Sequence, residues 1–246
     1  MITAELTIDD SRYPSIGDFR LTSRRGNPLT VLTVKVPLAP VEKGAAVILK
    51  YGYTDMAEWR GTATNIAKGG DLMTVTAAGT NELKLVETLY RESFIDETAE
   101  AIVRSALSTT GLSIAGIEAP GLQVARYTAD NIPVWQAVRQ VEESLRRGFG
   151  LTGYALWLGV DGLRWTTGDE PGDSPEVTTG VNLIDHAPCN TGLSLVTAFL
   201  LPGMTHSQRF SIKDTRRDIE GTFRAEMVRH ELKDVHGRTL LFYRKM

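Results

Sequence analysis

His186 and Cys189 stand three residues apart, a spacing at which imidazole and thiolate could share a metal ion. Pro188 lies between them and opposes a single helical presentation. No second pair supplies the other ligands of a tetrahedral site, so both residues read as structural or solvent-facing. The remaining histidines, His206, His230 and His236, fall in the C-terminal region, where His230 sits inside a strand-like run and reads as a sheet-face residue. Nucleophilic chemistry has no better footing. No serine lies in a G-x-S-x-G elbow, and Cys189 lacks His and Asn/Asp partners at a known spacing. The carboxylate pairs Glu97/Glu100 and Glu142/Glu143 could serve acid–base chemistry only if they faced one cleft; each instead falls on the polar side of a helical pattern. Gly69-Gly70 and Gly150 lack the spacing of a phosphate-binding loop. The sequence therefore assigns no catalytic, cofactor-binding or metal-binding residue, no cofactor, and no enzymatic role.

Trp59, Trp135, Trp157 and Trp165 fall one per candidate element, the distribution of core anchors. Tyr51, Tyr53 and Trp59 flank a polar loop, where a contact surface is the alternative to core packing, the favoured assignment. The net charge of −3 argues against neutralisation of nucleic-acid phosphates. One cysteine in 246 residues excludes an intrachain disulfide framework, and 42% hydrophobic with 23% charged residues is ordinary for a soluble globular chain. The opening residues lack the regions of a signal peptide, and no apolar run has membrane-spanning length, so synthesis in the cytoplasm and no membrane partner are expected.

These residues must be positioned by three successive textures. Residues 2–80 alternate as short strands between Gly, Pro and Asn turns, the pattern of a small barrel or sandwich. The period then changes. Asp96 is placed to cap a helix carrying Ala99, Ile102, Val103, Ala106 and Leu107 on one face, with Gly111 beyond its end. A second helix is expected from Asn131, with Pro133 in its first turn, a stripe of Val134, Trp135, Val138, Val141 and Leu145, and Gly148 at its C-terminal cap. A hairpin follows, 154–158 against 163–165 around Val160-Asp161-Gly162. Residues 168–180 read as an exposed connection, and 181 onward as strands, including a long one at 221–232. The predicted organisation is mainly β with an α+β segment: a first β-barrel module (1–85), an α+β middle (86–175) with two amphipathic helices and a hairpin, and a second β-barrel module (176–246).

The two flanks repeat each other. At a constant offset of 163 residues, 32–50 aligns with 195–213, pairing Leu32/Leu195, Val36/Phe199, Leu38/Leu201, Val41/Met204, Val47/Phe210 and Leu49/Ile212 without a gap. Each copy continues through a polar loop (51–59; 214–220) to a Gly-Thr strand start, Gly61-Thr62 or Gly221-Thr222. A turn (Gly69-Gly70-Asp71; His236-Gly237-Arg238) and a last strand then follow. The two loops and the Gly-Thr pairs are the candidate contact elements.

In this order the segment R-E-S-F-I-D-E-T-A-E-A-I-V (91–103), the helix around Pro133 and Trp135, the hairpin ending at Trp165, and the closing stretch Pro202-Gly203-Met204 … Gly221-Thr222-Phe223-Arg224 resemble the baseplate hub proteins of tailed phages. These are also called late-control or tail-tip hub proteins. The resemblance implies two barrels like tail-tube subunits in each chain, three chains in a homotrimeric ring, and a virion location after assembly in the bacterial cytoplasm. It further implies a tail tube or distal tail protein on one face, a spike or tip protein on the other, a tape-measure protein as a further contact, and DNA passing through the lumen without specific binding. Two other readings remain open from the residues: a tail-associated peptidoglycan hydrolase, and a monomeric carbohydrate-binding or assembly module.

Overall fold

The computed structural model describes residues 2–190, 192–234 and 236–244. The chain divides into two compact units, one formed by Met1–Arg24, Leu29–Thr80 and Asp169–Met246, the other by Arg25–Pro28 and Asn81–Gly168.

The first unit holds β1 (Thr3–Ile8), β2 (Ser11–Tyr13), β3 (Asp18–Arg24), β4 (Val31–Pro37), β5 (Ala46–Gly52), β6 (Met56–Gly69) and β7 (Leu72–Gly79). The second unit follows with α1 (Thr80–Glu87), β8 (Leu89–Thr98), α2 (Ala99–Ser108), β9 (Ile114–Ile117), β10 (Gln123–Pro133), α3 (Val134–Phe149), β11 (Ala155–Leu158) and β12 (Leu163–Thr166). The chain then returns to the first unit through β13 (Glu176–Thr178), β14 (Leu183–Ala187), β15 (Ser194–Phe199), β16 (Arg209–Asp214), β17 (Ile219–Lys233) and β18 (His236–Tyr243). Mainly β architecture with an α+β segment is thus observed.

The duplication is plain in the pairing. One set of strands runs β3-β4-β7-β6-β5-β1, the other β14-β15-β18-β17-β16-β13. Every ladder within the two sets is antiparallel except that of β13 with β16, which is parallel where its counterpart, β1 with β5, is antiparallel. A pair of hydrogen bonds is repeated at the same place in each. Ala63 N–H donates to Ala45 C=O while Ala63 C=O accepts from Gly44; Ala225 does the same with Gln208 and Ser207. Immediately after, both long strands carry a bulge, between Ala63 and Asn65 and between Ala225 and Met227. Each set has its own core, around Leu6, Leu32, Leu49 and Val75 in the first and Val196, Phe210, Ile212 and Leu241 in the second. Among the described residues the pairing path is open at β14 and at β2, so neither set closes into the barrel the sequence suggested.

The gapless repeat needs correction. Strands β5 and β16 match at the 163-residue offset, Val47 with Phe210 and Leu49 with Ile212, all buried. Strands β4 and β15 do not: Val36 is buried while Phe199 is 51% exposed. A one-residue slip sends every side chain to the opposite face, so the true counterpart of Leu32 is Ser194 and of Val36 is Ala198. One extra residue between β15 and β16 (200–208 against 38–45) restores the phase. The Gly-Thr pairs are likewise not equivalent, nor are they strand starts. Val47 faces Gly61 and Phe210 faces Phe223, so Gly61 corresponds to Phe223 and Trp59 to Gly221. In each module an aromatic ring folds over a glycine two residues away, with the order reversed.

In the second unit, tertiary pairing overrides local signals. Asp96 is no helix cap: it lies on β8 at φ 51°, within a ladder to β10, and Thr98 caps α2 by accepting from Ala101 N–H at 3.3 Å. Helix α3 starts at Val134, after Asn131 at φ 57° beside a bulge. Its left-handed cap is Gly150, not Gly148; the Gly150 N–H returns to Arg146 C=O and Leu151 N–H to Leu145 C=O. The hairpin is β11–β12 as expected, and β9 adds to it in parallel. Leu85, Ile102, Leu107, Val138, Leu145 and Trp165 make this unit's core. The 168–180 connection is not wholly exposed, because β13 inserts Val177 into the second module's core.

A Cβ at Gly61 would meet the Trp59 ring at 2.2 Å and the Ala78 carbonyl at 2.7 Å, whereas at Gly221 it would meet only the Phe223 ring at 3.1 Å. Backbone cannot yield as a ring can. Gly61→Ala should therefore cost about 1–3 kcal/mol by overpacking, and Gly221→Ala less than about 1. Denaturant unfolding of the two variants gives the comparison.

Candidate docking hairpins and the buried polar network

The residues best suited to chemistry are committed to the interior of the second module. Fully buried His186 bonds through Nδ1 to Asp214 Oδ2 at 2.8 Å and through Nε2 to the Tyr243 hydroxyl at 2.7 Å. Tyr243 is linked in turn to Ser194, whose Oγ accepts from Cys189 N–H at 2.9 Å. Burial opposes ionisation of Asp214, but hydrogen bonds from His186, the Arg216 amide and Thr179 outweigh it and hold its carboxyl below the usual range. Burial raises the Tyr243 hydroxyl. A serine, a histidine and an aspartate are present, yet Tyr243 stands between His186 and Ser194, so the imidazole does not bond to the serine hydroxyl as it would in a triad. The network satisfies buried polar groups. Nothing in the sequence signals it, since its members lie as much as 57 residues apart.

The other candidates are similarly placed. His230, read from sequence as a sheet-face residue, points inward and is fully enclosed. Its Nε2 lies 2.7 Å from Met204 C=O and its Nδ1 2.9 Å from Thr239 Oγ1, which also accepts from Leu201 N–H. Thr239 thus has its own proton to give to Nδ1, and the ring sits neutral with Nε2–H donating. Burial lowers its pKa to about 4, against a smaller opposing effect of Met204 C=O. His206 is buried beside Ser207, while His236 is exposed at the start of β18. Glu142 is buried on α3, where Arg139 Nη1 at 2.6 Å and Trp165 Nε1 at 3.2 Å donate to it; Glu143, Glu97 and Glu100 do not join it in a cleft. No cluster of His, Cys, Asp and Glu suited to a metal is found among the described residues, and no described helix is long and apolar enough to cross a membrane.

What the duplication brings into correspondence is a pair of surface hairpins. The candidate loops are narrower than the sequence suggested: 53–55 between β5 and β6, and 215–218 between β16 and β17. Tyr51 is core, packed edge-on against Phe19 at 5.5 Å, and its buried hydroxyl is pushed up to about 12 despite the Gly203 N–H. Tyr53 lies at the hairpin tip and is 42% exposed, contrary to its assignment to the core. Trp157 and Trp165 are buried, whereas Trp59 and Trp135 are only half-buried. The first hairpin is flanked by Glu58, whose carboxyl is held below the usual range by Arg60 at 2.7 Å and by Lys50. The second carries Arg216 and Arg217, with Arg217 reaching Asp214 at 3.4 Å and Asp185 at 3.8 Å. Equivalent positions therefore present an aromatic tip in one module and cations in the other, an arrangement that can dock a partner.

No family model matches the chain, and no curated protein matches it in sequence. Solved structures do. The 43 kDa tail protein of prophage MuSo2 from Shewanella oneidensis superposes with a TM-score of 0.73 at 9% identity, covering 99% of this chain and 96% of that one. A tail protein from Neisseria meningitidis MC58 gives 0.70 at 11% identity over 99% and 96%. The E. coli c3393 protein, a type VI secretion component described as similar to the T4 tail proteins gp27 and gp5, gives 0.66 at 10% over 98% and 76%. The chain has the fold of these tail and hub-like proteins.

Between pH 6.5 and about 4 the unfolded state takes up a proton that folded His230 refuses, so stability present above pH 6.5 is lost as pH falls toward 4. The loss attributable to this residue should approach about 3 kcal/mol at the acid end. Denaturant unfolding at pH 7 and pH 5 should show a smaller pH dependence in His230→Asn than in the parent; equal slopes would remove His230 as the cause.

Proposed function

We propose that the chain is a structural, non-enzymatic hub of a phage tail or tail-like injection particle. Two β modules with one pairing scheme in a single chain carry this reading, supported by the tail-protein fold. A duplicated module turns three chains into six near-equivalent positions, which is what a three-fold ring needs to seat on a six-fold tube. In this reading residues 1–85 and 176–246 form the ring-building modules and 86–175 the inserted segment. A tail tube or distal tail protein contacts one face and a spike or tip protein the other, with the tape measure nearby and DNA passing through the lumen. The net charge of −3 suits a conduit that must not hold phosphates.

The hairpins at 53–55 and 215–218 are the proposed tube contacts. Mass photometry and electron microscopy of the chain mixed with its tube protein should give a three-fold ring at the tube end. Tyr53→Ala and the double change Arg216→Glu, Arg217→Glu should each weaken tube binding by at least about tenfold, as loss of an aromatic or arginine anchor does. A chain that stays monomeric with both tube and spike proteins present would refute the hub reading.

A further inference from the structure

The two modules differ in what lies beside their longest strands. After its bulge, β17 leaves β16, and along 227–233 the vacated edge is taken by β3 of the first module in seven antiparallel pairs, Met227 with Arg24 through Lys233 with Asp18. Val228, His230, Glu231 and Leu232 are buried there, and Arg20 Nε lies 3.2 Å from Glu231 Oε1. Strand β6 leaves β5 after the equivalent bulge. Its matching stretch, Asn65 to Gly69, pairs with β7 on one side and, among the described residues, with no strand on the other. Asn65, Ala67, Lys68 and Gly69 are exposed. The counterpart of β3 is β14, since Phe19 faces Val34 as His186 faces Val196. Beyond the Thr179–Leu183 bridge, its outer edge is also unpaired by any described strand.

One chain therefore holds one completed junction and the two halves of another. We propose that β6 of one copy pairs with the β14 edge of a second copy, repeating between chains the β17–β3 junction made within each. The interface is heterologous, so its repetition closes a ring when the rotation between copies closes and otherwise runs on as a filament. This rests on the ring reading above and names the surfaces that make it. Exposed apolar side chains lie at both edges: Leu38 and Leu72 beside the β6–β7 turn, each 50% exposed, and Val181, Ile184 and Phe199 around β14.

Carrying the internal register across sets the pairing. Ala67 corresponds to Arg229, which faces Thr22; continuing the β14 register two residues past its end at Ala187 makes Cys189 the counterpart of Thr22. Ala67 should then face Cys189 of the neighbouring copy, and Lys68 should face Pro188, which has no N–H to give. Facing residues in an antiparallel pair have Cα atoms about 4.5–5.5 Å apart, within the roughly 4.4–6.8 Å that a disulfide spans.

The test mixes the parent chain, carrying Cys189, with a size-tagged Ala67→Cys, Cys189→Ser double variant under copper–phenanthroline oxidation. A reductant-sensitive heterodimer should dominate over both homodimers. The Ile66→Cys, Cys189→Ser variant, whose side chain turns to the other face, should give much less. Unfolding curves for each variant confirm that Ala67, being exposed, tolerates the change. Heterodimer no more abundant than homodimers, or absent, overturns the edge assignment. If mass photometry still shows a three-fold ring, only these edges are wrong and the hub reading stands. If the chain remains monomeric with its tube protein, the hub reading falls as well.

Discussion

The ladder between β17 and β3 joins a strand of the second module to one of the first, across roughly 200 intervening residues. It makes one continuous sheet of two strand sets, each with its own core. The long strand makes this possible by doing two jobs in succession. Its first half completes the second module against β16, and a bulge then releases it, so that its second half serves the first module. Cross-strand pairs such as Arg20–Glu231 fix the register, and the buried side chains of that half-strand set the cost of losing it.

Duplication does not require duplicated side chains. Paired strands keep their order, direction and bulge, because these follow from backbone hydrogen bonding and the two-residue period. Everything else has drifted. The glycine and the aromatic that cover each other have exchanged places, and a phenylalanine in the first core has a histidine as its counterpart in the second. That histidine then needed Asp214 and Tyr243 to satisfy its two nitrogens. A polar chain through a core is the outcome of one such replacement, and its resemblance to catalytic machinery ends at its burial.

The sequence discloses the strand texture of the flanks, the helices α2 and α3 but not α1, the hairpin and the existence of a repeat. All of these rest on periodicity within short windows. It misplaces what depends on distant partners. Asp96 has a good capping side chain, but β10 draws it into a ladder; Asn131 is held at a bulge of the same pairing. The phase error at Leu32/Leu195 has a simpler origin. Apolar residues occur on both faces of β15, since Leu195 is half-buried and Phe199 is exposed, so hydrophobicity alone could not separate inward from outward positions. The hairpins were located correctly within a few residues because turn chemistry is local, whereas the charge contrast between their tips emerges only when the two are superposed strand by strand.

The separation of β3 from β17 also sets a schedule. The first module leaves the ribosome before its partner strand is made. At about 5–20 residues per second, β3 waits roughly 10–40 s for β17. During that interval its edge is a template for any extended chain. Asp18, Arg20 and Arg24 alternate along it with side chains turned to water, and charges on an exposed edge discourage stray pairing. The charges that later hold β17 in register thus begin as guards, and translation order becomes part of how this sheet avoids the wrong partner.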